Sequence, residues 1–127
     1  MKTADFRFSY APVLKPLMTF LMTGPRHSVV EVDAQRVLVR MGPGGWAFTA
    51  DVPRSSIVHA ARVDGPVWGW GAHGWRDRWL VNGSGKGLVQ LIVAPKAAGR
   101  CLFFPLRIGE LTLSLEEPDA FVDAVSA

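Results

Sequence analysis

One cysteine and one tyrosine in 127 residues, no run of lysine or arginine, and no apolar stretch long enough to cross a bilayer are what the sequence first offers. Each scarcity excludes something. The lone thiol, Cys101, rules out an intramolecular disulfide, and with three isolated histidines it leaves no zinc site of the Cys-x-x-Cys kind. A reducing cytoplasm is the natural compartment for such a chain. Asp5 and Arg7 interrupt the N-terminus, so it lacks the apolar core of a signal peptide. The apolar residues between Pro12 and Gly24 enclose Lys15 and Pro16 and fall short of the roughly 20 residues a spanning helix needs. Fourteen basic residues against eleven acidic ones give a net charge of +3, and they are scattered. That balance admits an anionic partner but supplies no polyanion-binding arm, which makes nucleic acid an unlikely partner. No complete catalytic, metal or cofactor motif is present, and neither a metal nor a cofactor is expected.

What remains is an ordinary globular composition, 49% hydrophobic and 20% charged, with 13 glycines and 9 prolines to punctuate it. At this length one domain spanning 1–127 has enough interior to stand alone. Phe6, Phe8 and Tyr10 alternate with Arg7 and Ser9, the period of a half-buried strand. Pro16 to Met22, closed by Gly24-Pro25, has the proline start and glycine stop of a short apolar helix, so 1–27 reads as an N-terminal strand followed by that segment. From Ser28 the period turns to that of a β-meander covering 28–115. Ser28–Asp33 and Arg36–Met41 flank a tight turn at Ala34-Gln35; Trp46, Phe48, Ala50 and Val52 share one face of the next strand. In Ser56–Val63, the residues Ile57, His59, Ala61 and Val63 fall on one side, which makes His59 a hydrogen-bonded core residue rather than a ligand. Leu88–Val93 reads as a strand covered on both faces, Arg100–Phe104 as another, and Leu111–Leu115 as the last. Cys101, among apolar neighbours, is expected to be a buried, inert thiol. Glu116-Glu117-Pro118-Asp119 then opens a helix over 117–126, its acids suiting the positive end of the helix dipole and Phe121, Val122 and Val125 forming its apolar stripe. The expectation is a mainly β fold: a small antiparallel barrel or sandwich of about 7–8 strands with a capping C-terminal helix and a short N-terminal one.

The stretch from Val67 to Gly87 concentrates chemistry. It holds four of the five tryptophans, one of the three histidines and six of the thirteen glycines. Glycine supplies close approaches and indole supplies apolar area with one N–H, a combination that suits a ligand pocket and equally a loop plugging a small barrel. Trp75–Val81 reads as one strand with Trp75, Asp77, Trp79 and Val81 on one face and Arg76, Arg78 and Leu80 on the other. Asp77 between two tryptophans needs a partner, with an indole N–H, His73 or an arginine as the candidates. Asn82–Gly87 is a glycine-rich hairpin turn. It is not a phosphate-binding P-loop, which would need glycine where Leu80 stands and serine or threonine where Gly87 stands. The candidate ligand-binding residues are therefore Trp68, Trp70, His73, Trp75, Arg76, Arg78, Asn82 and Lys86, forming a mouth between the Trp68–Trp75 loop and the Asn82–Gly87 turn.

The order of elements from Ser28 to Ala127, with the ending Leu111-Thr-Leu-Ser-Leu-Glu-Glu-Pro-Asp-Ala-Phe-Val, resembles the small bacterial versions of the pleckstrin-homology superfold. More locally, Gly69-Trp-Gly-Ala-His-Gly-Trp-Arg-Asp-Arg-Trp-Leu-Val-Asn-Gly-Ser84, with Phe104-Pro-Leu-Arg107 downstream, is similar to a family of small actinobacterial proteins to which no activity attaches. The resemblance implies a fold and no reaction.

A non-catalytic binding module is the leading reading, its ligand an anionic lipid, a small molecule or a peptide added at a sheet edge. Peripheral attachment to an anionic membrane refines it, since aromatic and basic residues together suit an interface. The alternative is a structural or protein-interaction domain that forms a homo-oligomer through edge strands. A small enzyme with His73 as base oriented by Asp77, and Ser84 nearby in sequence, is the minor option.

Overall fold

In the computed structural model the described residues are 4–9, 28–42, 47–63, 71–75, 77–82, 86–102 and 104–126, with the backbone alone at 71–75 and 82. They form nine strands and a helix: β1 (Ala4–Phe6), β2 (Val29–Val32), β3 (Arg36–Met41), β4 (Phe48–Pro53), β5 (Ile57–Arg62), β6 (Gly71–Trp75), β7 (Arg78–Asn82), β8 (Leu88–Cys101), β9 (Phe104–Ser114) and α1 (Pro118–Ser126). The fold is mainly β, as the alternation of apolar residues implies. The expected helix between Pro16 and Met22 lies outside the described residues.

The strands make one sheet in the order β1-β2-β3-β4-β8-β9-β7-β6, with β5 joined to β8 beside β4. This is an open path and not a simple meander. β8 has fourteen residues and serves two neighbours on one edge: Ala98–Cys101 pair with β4, and Val89–Val93 pair with β5. A 3-10 turn at Arg54–Ser56 lets β4 and β5 follow one another along it. On its other edge β8 pairs with β9 over both halves, interrupted where Ile92↔Glu110 jumps to Ala97↔Ile108 and the chain between arches away from the ladder. The separate strand expected over Arg100–Phe104 is instead the reversal between β8 and β9: Cys101 faces Phe104, and Leu102 takes a left-handed φ of 53°. β7 runs parallel to β9, Arg78 beside Glu110 through Val81 beside Leu113, so the sheet is mostly but not wholly antiparallel.

Alternation sets the inner face. Val37, Val39 and Met41 of β3, Phe48, Ala50 and Val52 of β4, and Leu111 and Leu113 of β9 are all fully buried. The helix closes this side: Phe121 is fully buried and meets Phe6 edge-on at 5.3 Å. Arg54 fastens the helix to the sheet. Its guanidinium donates to the carbonyls of Asp33 (3.0 Å) and Ala124 (2.9 Å), the second at the electron-rich C-terminal end of α1. Asp33 in turn caps the Ala34-Gln35 hairpin, its carboxylate accepting the Gln35 and Arg36 amides, which holds its pKa below the ordinary carboxylate value. Beyond β1, Phe8 bridges Leu115, and Ser9 N–H donates to Ser114 O at 2.8 Å.

One side-chain assignment changes. His59 is exposed rather than buried. The β5–β8 register slips between Ile57 and His59, where two residues of β5 oppose one step of β8, so Val58 bulges out at 66% exposure and the inward row becomes Ile57 and Ala60.

Candidate functional site

The Trp/Gly-rich stretch contributes the last two strands of the sheet. Trp75 pairs with Arg78 and Gly71 with Asn82, so residues 71–82 form a β-hairpin and not the single strand expected from Trp75 to Val81. A run with large or charged residues at every position from Trp75 to Trp79 conceals that reversal; the signal that marks it is Asp77, a turn-forming residue. Gly71–Gly74 accordingly belongs to a strand and not to a loop.

The consequence for the expected mouth is a division. His73 lies opposite Leu80 in the hairpin. Trp75 and Arg78 stand at its turn end, Gly71 and Asn82 at the other, about 13 Å away at the rise of an extended strand. Lys86 is exposed beyond the Asn82 end. Trp75 and Arg78 thus stand at one end of β7, Asn82 and Lys86 at or beyond the other and His73 midway between, and Trp68, Trp70 and Arg76 lie outside the described residues. Of the tryptophans, Trp79 joins the interior: it is half-buried, packed against the core and 5.8 Å from Phe48. Its neighbour Val81 is fully buried, which places Arg78 and Leu80 on the outer face, as alternation requires.

The turn end carries a polar network. The Asp77 carbonyl accepts the amides of both Gly109 (2.9 Å) and Glu110 (3.1 Å), anchoring the hairpin to β9. Its carboxylate meets Lys96 at 3.2 Å. The hydrogen bond from that ammonium holds the Asp77 pKa below the ordinary carboxylate value. Lys96 sits on the arch that interrupts the β8–β9 ladder, which explains why the interruption is useful: it brings a residue of β8 across β9 to the hairpin turn. Gly109 lies beneath the pair, and a Cβ there would come within 2.8 Å of the Asp77 carboxylate. Beside it, Arg78 reaches Glu110 at 3.5 Å, and Gln90 donates to Glu110 at 2.6 Å. Among the described residues the partner of Asp77 is Lys96, a lysine nineteen positions away that the sequence reading did not single out.

The ammonium beside it makes Asp77 itself a weak proton acceptor. Among the described residues no group of three His, Cys, Asp or Glu could hold a metal ion. Among the described residues, shallow depressions lie elsewhere: about 300 Å³ on the outer face beside Thr49, Asp51 and Arg100, and about 330 Å³ between Val58, His59 and the end of α1 at Val125. Neither adjoins the hairpin turn. No family model, curated protein or solved structure matches the chain. Among the described residues no helix is long and apolar enough to cross a membrane.

Proposed function

We propose that this chain is a non-catalytic binding module, one cytoplasmic domain of pleckstrin-homology-like build, and that it receives an extended peptide segment of a protein partner along β6. The observation that carries the reading is the position of the β6–β7 hairpin: β6 ends the strand path among the described residues, and its sequence, Gly-Ala-His-Gly-Trp, contains none of the proline or charge that blunts natural sheet edges. Arg78 supports it. Its side chain is 77% exposed at the turn end of the same hairpin and lies 3.5 Å from Glu110, so it is positioned to meet an acidic side chain of the incoming strand. Main-chain pairing would supply affinity and the arginine would supply register. Of the ligands compatible with the sequence, a peptide draws most directly on these features, whereas a single pocket for a small molecule would require the two ends of β7 to act together.

Selection of displayed random peptides against the intact protein tests this. Extended, β-branched sequences carrying an acidic residue are expected, their binding should slow amide exchange at 71–75, and Arg78→Glu should weaken them about tenfold, the worth of one charge-assisted contact. Peptides that leave exchange at 71–75 unaltered, or that bind Arg78→Glu equally well, would remove the reading. A concentration-dependent dimer that protects the same amides would replace the peptide with a second copy of the chain.

A further inference from the structure

A different surface carries a separate inference. Among the described residues three large apolar side chains are exposed, and two of them, Leu102 at 43% and Phe104 at 70%, sit together at the β8–β9 reversal. Pro105 beside them is also exposed. Leu102 holds a φ of 53°, a conformation that glycine or asparagine adopts more cheaply and that leucine occupies only where the surroundings impose it. The surroundings do so: its N–H donates to Ala47 O at 3.2 Å, and the flanking ladder pairs Cys101 with Phe104 and Arg100 with Pro105. A strained backbone thus presents a large apolar side chain to solvent at a position where a small polar one would be less costly.

Two arginines stand behind this tip on one face of the hairpin. Arg100 and Arg107 are both exposed, and both lie on the outer face, because Ala97 and Ile108 of the same ladder point inward and are buried. Measured back along the strands, Arg100 stands two residues behind Leu102 and Arg107 three behind Phe104, about 7 and 10 Å at the rise of an extended chain. Interfacial segments bury apolar groups roughly 5–10 Å into the boundary between headgroups and acyl chains. A tip entering to that depth brings both guanidiniums to the level of the lipid phosphates. We propose that the β8–β9 hairpin tip is a membrane-docking finger for anionic bilayers, with Leu102 and Phe104 inserting and Arg100 and Arg107 contacting phosphate. The finger is independent of the peptide-binding edge: six residues of β9, about 20 Å, separate Phe104 from the Glu110 that lies beside Arg78.

Co-sedimentation of the full chain with vesicles of phosphatidylcholine alone, and of phosphatidylcholine with phosphatidylglycerol, tests it. Binding is expected only with the anionic lipid and should weaken as salt rises. Phe104→Ser is expected to lower partitioning about tenfold, and Arg100→Gln and Arg107→Gln about fivefold each. Leu102→Asn keeps a residue that tolerates the left-handed turn, so it separates loss of insertion from loss of folding; it too should lower partitioning several-fold, with an unchanged melting temperature. No binding to anionic vesicles, equal binding to neutral ones, or undiminished binding by a folded Leu102→Asn, Phe104→Ser double variant would overturn the proposal. So would a concentration-dependent self-association, in the absence of lipid, that the same double variant abolishes.

Discussion

Replacing Gly87 by alanine adds one methyl group and should unfold a large fraction of the stability of this protein. Gly87 has a φ of +65°, and its carbonyl accepts the Leu115 amide at 2.9 Å. A Cβ on this backbone would lie 2.0 Å from the Leu115 carbonyl oxygen, 3.2 Å from its carbon and 3.4 Å from its nitrogen. All three are main-chain atoms, so no rotamer change relieves the contact. The left-handed backbone costs an L-residue about 1–2 kcal/mol. Moving the chain at Leu115 away by more than an ångström gives up the hydrogen bond to Gly87, about 1 kcal/mol, and disturbs a fully packed side chain at a further cost of about 1–3 kcal/mol. Against this, alanine restricts the unfolded chain and returns about 0.4–1 kcal/mol. The balance is a loss of about 4 kcal/mol, which for a domain of this size lowers the melting temperature by about 16 °C. Urea and thermal melts followed by tryptophan fluorescence and far-ultraviolet circular dichroism measure it directly. A Gly87→Ala protein melting within about 2 °C of the parent would refute both the contact and the conformational argument.

Arg54→Met keeps the aliphatic stem but removes the donors to Asp33 O and Ala124 O, and should cost about 2–3 kcal/mol in urea unfolding, with early loss of amide protection in α1. Phe121→Ala opens a cavity between the helix and Phe6 and should cost about 3–5 kcal/mol, read in the same melts. Because the Asp77 pKa is lowered in the folded state, its contribution is present above the unfolded value of about 3.9 and is lost as pH falls through the lowered one. The melting-temperature difference between the parent and Asp77→Asn should therefore be largest near neutral pH and close in acid. Burial pushes the Cys101 thiol up from its ordinary value, so its alkylation by iodoacetamide should lag behind that of a free thiol at neutral pH and accelerate only in alkali.

Strand faces were legible in the sequence because alternation is local. Phe48, Ala50 and Val52, or Leu111 and Leu113, declare their side of the sheet without reference to any other strand, and Pro118 with Asp119 and Phe121 declares the helix in the same way. Partners were not legible, because they depend on register between distant segments. Lys96 gives no sign in sequence that it will reach Asp77; that depends on an arch in β8 whose position is set by the ladder with β9. His59 shows how one added residue undoes an alternation argument: the bulge at Val58 reverses the parity of everything after it in β5. The pairing within the Trp/Gly-rich stretch was not legible either. Its charged turn, Arg78 with Asp77, lies at one end of a hairpin and Lys86 beyond the other, a separation that a glycine-rich sequence leaves undetermined until the pairing of Trp75 with Arg78 is known.

The placement of β8 has a consequence for the order in which the protein is made. It is the eighth of the described strands to be synthesised, yet β4, β5 and β9 all pair with it. Until it emerges, the nascent β1–β4 sheet ends at β4 with one edge open, and β5 lacks the strand it pairs with. Such an intermediate is a template for pairing with other chains. Slow or paused translation before Leu88 should therefore raise aggregation, whereas pausing after Ser114 should not, and holdase chaperones should protect chiefly chains arrested in that first interval.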